Sequence, residues 1–407
     1  MSDRGQHAGR RHNGESTALS RRTLLRRGAA LGLAVPALLA LDPALRLSGV
    51  ALAQDVTCPP AVEKAMGTPA ALTGKKIGVT VAYLSVPFYA NFKKGLEDGA
   101  RQFGFEYDLR DGKGDAATEV ANIQDFIAQG VDLILLTPMS EGTIPAIVQA
   151  NQAGIPVIEV NNKAGFGSDK ADVVTYVGAD DVEFGRLQAQ LLDQVYGGKS
   201  VKIGYVMGIP GTSPQILRAQ GFKEALADLP NYEIVAEVND DFDSAKALAV
   251  TQDLLSRFPK GQIDVIVMQG PEGVAAAQFA RQNGRDEVKF ILGDYDAKVR
   301  QAIIDGDVLG TINQDPYPQA FEAMHMASLL FSGQEDQIPK PNFLELPIIT
   351  IDNAEATPPH LHFEIQRANS ARQWWRGVAF NPYPVLVSGR FDLARASMLP
   401  KTDAFSP

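Results

Sequence analysis

From Lys76 onward the chain alternates short apolar, β-rich runs with helix-patterned ones, and this constrains the fold more than any other feature. Strand-like runs fall at 76–83, 105–109, 133–137, 156–160, 174–177, 201–207, 232–238, 263–268, 289–292 and 309–312. Helical patterns lie between most of them, such as Val120, Ile123, Phe126 and Ile127, or Leu248, Leu254, Leu255 and Phe258. Strand ends recur about every thirty residues, the length of a βαβ unit. The pattern predicts an α/β protein with parallel sheet, as one large sheet or two smaller ones. The segment 161–172 carries Gly165 and Gly167 and no helical pattern. It is expected to mark the passage from one lobe to another.

The first strand-like run leads through Leu84-Ser85-Val86-Pro87-Phe88-Tyr89, read as a loop, into a helix with Phe92, Leu96, Ala100 and Phe103 on one face. In open α/β sheets ligands bind at the carboxyl ends of strands. The loop has no Gly-x-Gly-x-x-Gly to hold a pyrophosphate. Its two rings suit a flat, uncharged partner such as a sugar.

Residues 1–53 read as an export signal rather than fold. Arg21-Arg22 forms a twin-arginine pattern, an apolar run follows from Gly28 to Leu41, and Ala51-Leu52-Ala53 is a cleavage signature. Pro36 and Asp42-Pro43 cut the run short of a membrane span, which needs about 20 residues. The implied compartment is the periplasm or outer face of a bacterial envelope, with the twin-arginine machinery as a partner. The whole chain carries a net charge of −10, and the removed part holds eight Arg against two Asp and one Glu, leaving the mature chain near −15. Such a field repels a polyanion, so nucleic acid is excluded as a partner. Residues 54–74 read as a linker, and the single cysteine, Cys58, within it has no internal partner.

Several segments, in order, resemble the type I, ribose-binding-like family of periplasmic sugar-binding proteins of ABC importers. They are Val86-Pro87-Phe88-Tyr89, the helix at 119–127, Gln152-Ala153-Gly154-Ile155-Pro156, Val177-Gly178-Ala179-Asp180-Asp181, Gly211-Thr212-Ser213 with Arg218-Ala219-Gln220-Gly221-Phe222, Asp241-Phe242-Asp243, and Thr311-Ile312-Asn313-Gln314-Asp315. The resemblance implies two Rossmann-like lobes with parallel sheets, joined by a three-strand hinge and closing on a ligand. One lobe would be 75–178 with 315–346, the other 179–314 with 347–353, followed by a C-terminal extension, 354–407.

The resemblance also implies site residues. Phe88, Tyr89 and Phe242 match the family's stacking aromatics. Asn161 and Asn162 stand where the family has an Asp-Arg pair, Gln215 or Ile216 where it has an Arg, and Gly270 where it has an Asn. Gln314 fits its glutamine at the second crossing, and its aspartate falls on Asp294 or Asp296. Neutral amides present donors and acceptors together, which suits hydroxyls and argues against an anion. Arg218 and Lys163 lie near these loops, where pairing with carboxylates or solvent is the commoner role.

The extension carries His360-Leu361-His362, Trp374-Trp375 and Tyr383-Pro384-Val385-Leu386-Val387. Disordered tails are poor in aromatics, so it is expected to pack on a lobe or a partner. The two histidines have no third ligand, and no metal or cofactor is expected. Gly-x-Ser-x-Gly, Walker, His-Glu-x-x-His and Cys-x-x-Cys motifs are absent. The expected function is a monomeric exported protein that binds a neutral sugar or polyol and serves ABC permease subunits. The alternatives are a receptor for a sensor kinase or chemoreceptor, and a carbohydrate-active enzyme.

Overall fold

The computed structural model describes residues 72–165 and 172–357, and the backbone of 386–387 and 390–391. The expected export signal, Cys58, most of the linker and the tail's histidines and tryptophans lie outside the described residues.

The apolar runs form twelve short strands. They are β1 (Lys76–Val81), β2 (Glu106–Asp111), β3 (Leu133–Leu136), β4 (Val157–Val160), β5 (Tyr176–Ala179), β6 (Val201–Met207), β7 (Tyr232–Asn239), β8 (Val265–Met268), β9 (Lys289–Gly293), β10 (Gly310–Ile312), β11 (Asn342–Leu344) and β12 (Ile348–Thr350). Helices are α1 (Phe88–Phe103), α2 (Ala116–Gln129), α3 (Ile144–Gln152), α4 (Asp181–Tyr196), α5 (Ser213–Ala227), α6 (Ser244–Arg257), α7 (Val274–Gln282), α8 (Ala297–Ile304) and α9 (Pro316–Phe331). A further pair, β13 (Leu386–Val387) and β14 (Arg390–Phe391), is antiparallel.

Two six-stranded sheets result, ordered β11-β5-β4-β3-β1-β2 and β12-β10-β9-β8-β6-β7. Every pairing in them is parallel except β10 with β12. Parallel strands covered on both faces read as continuous apolar runs, and β3, β4, β5 and β8 are buried at every position. Each sheet reverses its order once, between β1 and β3 in the first lobe and between β6 and β8 in the second. These are the topological switch points at which α/β folds open a crevice.

Five helices, α2, α4, α6, α8 and α9, begin at an aspartate whose side chain accepts from first-turn amides: Asp115, Asp180, Asp243, Asp296 and Asp315. Each cap ends the connection after a strand and turns the chain back over the sheet. In the first lobe α1 packs on α9, burying Phe92, Leu96, Ala100 and Phe103 with Ala320, Ala323 and Met324. In the second α4 packs on α5 almost backbone to backbone: a Cβ on Gly185 would lie 2.0 Å from the Arg218 carbonyl oxygen, and one on Gly221 1.8 Å from that of Val182.

Two sequence expectations need correction. The segment 161–172 does not lead from one lobe to the other, because β4 and β5 pair in one sheet. The first passage comes after β5, where Asp180 caps α4. Phe88 and Tyr89 are also not loop residues. Pro87 already has helical dihedrals, φ −52° and ψ −30°, so both rings stand on the first turn of α1. The chain crosses between the lobes three times among the described residues: β5 to α4, β10 to α9, and β11 to β12.

Candidate functional site

In the first lobe the chain leaves β1 through a short connection, and α1 presents Phe88 and Tyr89 edge to face, with ring centroids 5.3 Å apart. Phe88 is half-buried and Tyr89 is buried in the lobe's core. Burial, then the Glu119 charge, raises the Tyr89 hydroxyl's pKa, so it stays neutral. Glu119 itself is lifted to about 7 by burial, although its Oε2 accepts the Met139 N–H at 2.9 Å.

The connection after β4 carries two buried amides of the same lobe. Asn161 has φ 65°, and its Nδ2 donates to Oε1 of Gln319 at 3.2 Å and of Gln314 at 3.4 Å. Asn162 donates to the Pro138 carbonyl at 3.0 Å. Gln314 lies on the second crossing and also hydrogen-bonds the Asp294 carboxylate of the second lobe. It therefore joins Asn161 of one wall to Asp294 of the other.

In the second lobe Phe242 occupies the switch-point crevice. Its ring lies between Gly208, after β6, and Gly270, after β8: a Cβ at these positions would come within 2.0 Å and 2.8 Å of it. The glycine at 270, where a side chain was expected in relatives, is thus what admits the ring. Phe242 has φ 54°, held by its N–H donating to Asp240 Oδ1 at 2.9 Å.

Asp294 follows β9 with φ 57°, and its buried Oδ1 has no partner. Burial lifts its pKa to about 6, against the Arg218 charge and the Gln314 bond. Asp296 is placed differently: its Oδ1 accepts from the Lys298 and Val299 amides, capping α8. Gln215 is half-buried and folds back on its own loop, accepting the Gly211 N–H at 3.2 Å.

Arg218 is buried. It donates to Asp181 Oδ1 at 2.9 Å and to the Gln269 carbonyl at 2.7 Å, and its guanidinium lies 3.9 Å from the Phe184 ring centroid. Burial opposes its charge, but Asp181 and Asp294 more than offset that, and Arg218 stays protonated. Lys163 places its ammonium over Tyr176, 4.4 Å from the centroid, while its backbone N–H donates across the cleft to Ser213 Oγ at 2.8 Å.

Sequence reasoning passed over Gln269 and the acids Asp240, Glu272 and Asp181. Gln269 accepts the Gly208 N–H and donates to Tyr205 and to the Gln215 carbonyl, knitting the ends of β6 and β8 to the first turn of α5. It directly follows β8, and a polar residue ending an apolar strand was the available signal. No cluster of three or more metal-ligating side chains occurs among the described residues.

Two α/β lobes with facing switch points, crossed three times by the chain, define a ligand-binding class of protein. The description "Periplasmic binding protein domain" matches residues 77–335, and the chain belongs to that family. The ribose import binding protein of Salmonella typhimurium is 29% identical over 280 residues, covering 68% of this chain and 92% of that protein. The xylitol-binding protein of Mycolicibacterium smegmatis is 28% identical over 295 residues, covering 72% and 82%. Among solved structures, a Caulobacter myo-inositol binding protein bound to myo-inositol matches with a TM-score of 0.64 at 25% identity, covering 69% of this chain and 95% of that one. The two-lobed fold implied by the sequence resemblance is the observed one. The family's members are binding proteins.

Proposed function

We propose that this chain is an exported solute-binding protein that captures a neutral sugar or polyol between its lobes and delivers it to the permease subunits of an ABC importer. The observation that carries the reading is the pair of facing walls: aromatic and amide groups on one, Phe242 and the Asp294 carboxylate, whose Oδ1 has no partner, on the other, joined through Gln314. Rings stack on the apolar faces of a sugar, while amides and a carboxylate take its hydroxyls. We assign ligand contact to Phe88, Tyr89, Asn161, Asn162, Gln215, Phe242, Asp294 and Gln314. Asp296 is left to its helix, since its carboxylate is already engaged as a cap. The relatives' named cargoes, ribose, xylitol and myo-inositol, are all uncharged polyhydroxyl compounds and support the ligand class.

The reading includes export by the twin-arginine route, a cleaved segment 1–53, a linker to residue 74, lobes of 75–178 with 315–346 and 179–314 with 347–353, and an extension from 354. It also takes the mature protein as a monomeric, non-enzymatic periplasmic component. Thermal unfolding of the mature protein with ribose, xylitol, myo-inositol, galacturonate and glutamate tests it. A bound ligand at a hundred times its dissociation constant adds about 2.7 kcal/mol, so at least one neutral polyol should raise the melting temperature by several degrees. Stabilisation by the charged compounds alone would sink the proposal.

A further inference from the structure

Two buried carboxyls have no task in the site as described. Asp240 follows β7 and Glu272 lies in the turn after β8. Their side chains meet behind Phe242, where each perturbs the other. They are 1% and 7% exposed. Neither Asp240 Oδ2 nor either oxygen of Glu272 finds a donor elsewhere in the protein. Two ionised carboxylates enclosed side by side repel, and a buried acid without a donor is costly by at least several kcal/mol. One proton between them resolves both problems, because the protonated carboxyl donates to its neighbour.

Geometry ties this pair to Phe242. Asp240 spends its other oxygen on the Phe242 N–H, which fixes the left-handed turn. Glu272 reaches over Gly270, where a Cβ would lie 2.3 Å from its Oε2 and 2.8 Å from the Phe242 ring. Ring and Glu272 carboxyl therefore share the space that a side chain at position 270 would fill.

We propose that Asp240 and Glu272 share a single proton and act as positioning residues that hold Phe242 as a wall of the cleft, so that loss of this proton loosens the wall and weakens ligand binding. The inference rests on the assignment of Phe242 to ligand contact.

The surrounding charges leave the proton as the pair's counter-charge. On the same connection, Asp241 is paired with Lys246 at 2.5 Å, and Asp243 caps α6. From the first lobe, the Tyr83 hydroxyl senses Asp241. After β9, Asp294 adds further negative charge against Glu272, and Arg218 beyond it is engaged by Asp181 and Gln269. Burial, then the Asp240 charge, pushes Glu272 well above the usual carboxylate range, and burial lifts Asp240 to about 6. The pair thus keeps a proton at neutral pH and gives it up on the alkaline side.

The test begins without ligand. The mature protein is labelled with 15N-phenylalanine, and the Phe242 amide is assigned by its absence in Phe242→Leu. As the pH is raised from neutral into the alkaline range this amide should titrate in the wild type. In Glu272→Gln, whose side chain donates to Asp240 at every pH, it should stay still. A motionless wild-type amide, or the same titration in both proteins, overturns the shared proton. Calorimetry with xylitol and with D-ribose then reads the positioning role. Wild-type affinity should fall about threefold or more from neutral to alkaline pH, and Glu272→Gln should remain level. An equal fall in both proteins overturns the positioning role. If the amide titrates as expected but neither compound binds, the polyol assignment fails while the acid pair stands.

Discussion

Asp294 carries more consequence than any other single residue of the cleft. Its folded pKa of about 6 lies above the ordinary aspartate value of about 3.9. The folded protein therefore holds a proton that the unfolded chain releases, and ligand-free stability should fall as pH rises from about 4 through about 6. Hydroxyls that donate to the carboxylate favour its ionised form, so polyol affinity should move the other way and strengthen over the same window. Denaturant titrations and calorimetry at the two ends of the window check both signs; Asp294→Asn should abolish the binding trend and lessen the stability trend, to which Asp240 and Glu119 also contribute. Gly208 gives a steric counterpart. Its Cβ would meet the Phe242 ring at 2.0 Å while Gly270 blocks retreat, so Gly208→Ala should displace the ring and cost about 1–3 kcal/mol, read from the denaturation midpoint. Arg218 was left between a ligand role and ion pairing by the sequence. Its two named bonds resolve this, since both go to protein groups. Arg218→Ala should cost about 3–5 kcal/mol by stranding Asp181 in the interior, and replacing both residues with apolar ones should cost much less.

At the scale of elements, the contact between α4 and α5 is the most demanding. Gly185 and Gly221 let two helix backbones touch, and any Cβ there collides with a carbonyl that cannot swing away. Gly221→Ala should lower the melting temperature by more than a surface Gly→Ala change, such as that at Gly142, which meets nothing closer than 3.3 Å. Strand positions and most helices were legible in the chain because buried parallel strands leave continuous apolar runs, as at Leu133–Leu136 and Val265–Met268. The start of α1 was misread because Pro87 looked like a loop residue, although proline suits the opening of a helix. The three-residue edge strands β11 and β12 carry too little pattern to read. Asp240 and Glu272 meet only because β7 and β8 both flank β6, and no local pattern announces such a neighbour.

Over the whole molecule, the lobes touch through few groups away from the crossings. The bond from the Lys163 N–H to Ser213 Oγ is one of them, with Ser213 on the first turn of α5. A neutral hydrogen bond is worth about 0.5–1.5 kcal/mol. Ser213→Ala should therefore weaken polyol binding a few-fold by disfavouring the closed state, with little change in unfolding midpoint. Solution scattering of the ligand-free variant should show a larger radius than the wild type. The facing walls were legible as separate short motifs, yet their meeting depends on crossings more than a hundred residues apart.

The interlaced connectivity sets an order of assembly. The second lobe, apart from its edge strand β12, is one unbroken stretch from Asp181 to Ile312. The first lobe begins earlier but lacks α9, whose Ala320, Ala323, Met324 and Ala327 fill its core. A ribosome delivers α9 only after all of the second lobe except β12 has been made. The lobe begun first thus waits for its core helix until nearly all of the second has been made, and the face that α9 covers stays open through that interval. A truncation just before α9 should leave a second lobe that lacks only its edge strand tethered to a first lobe with an open apolar face.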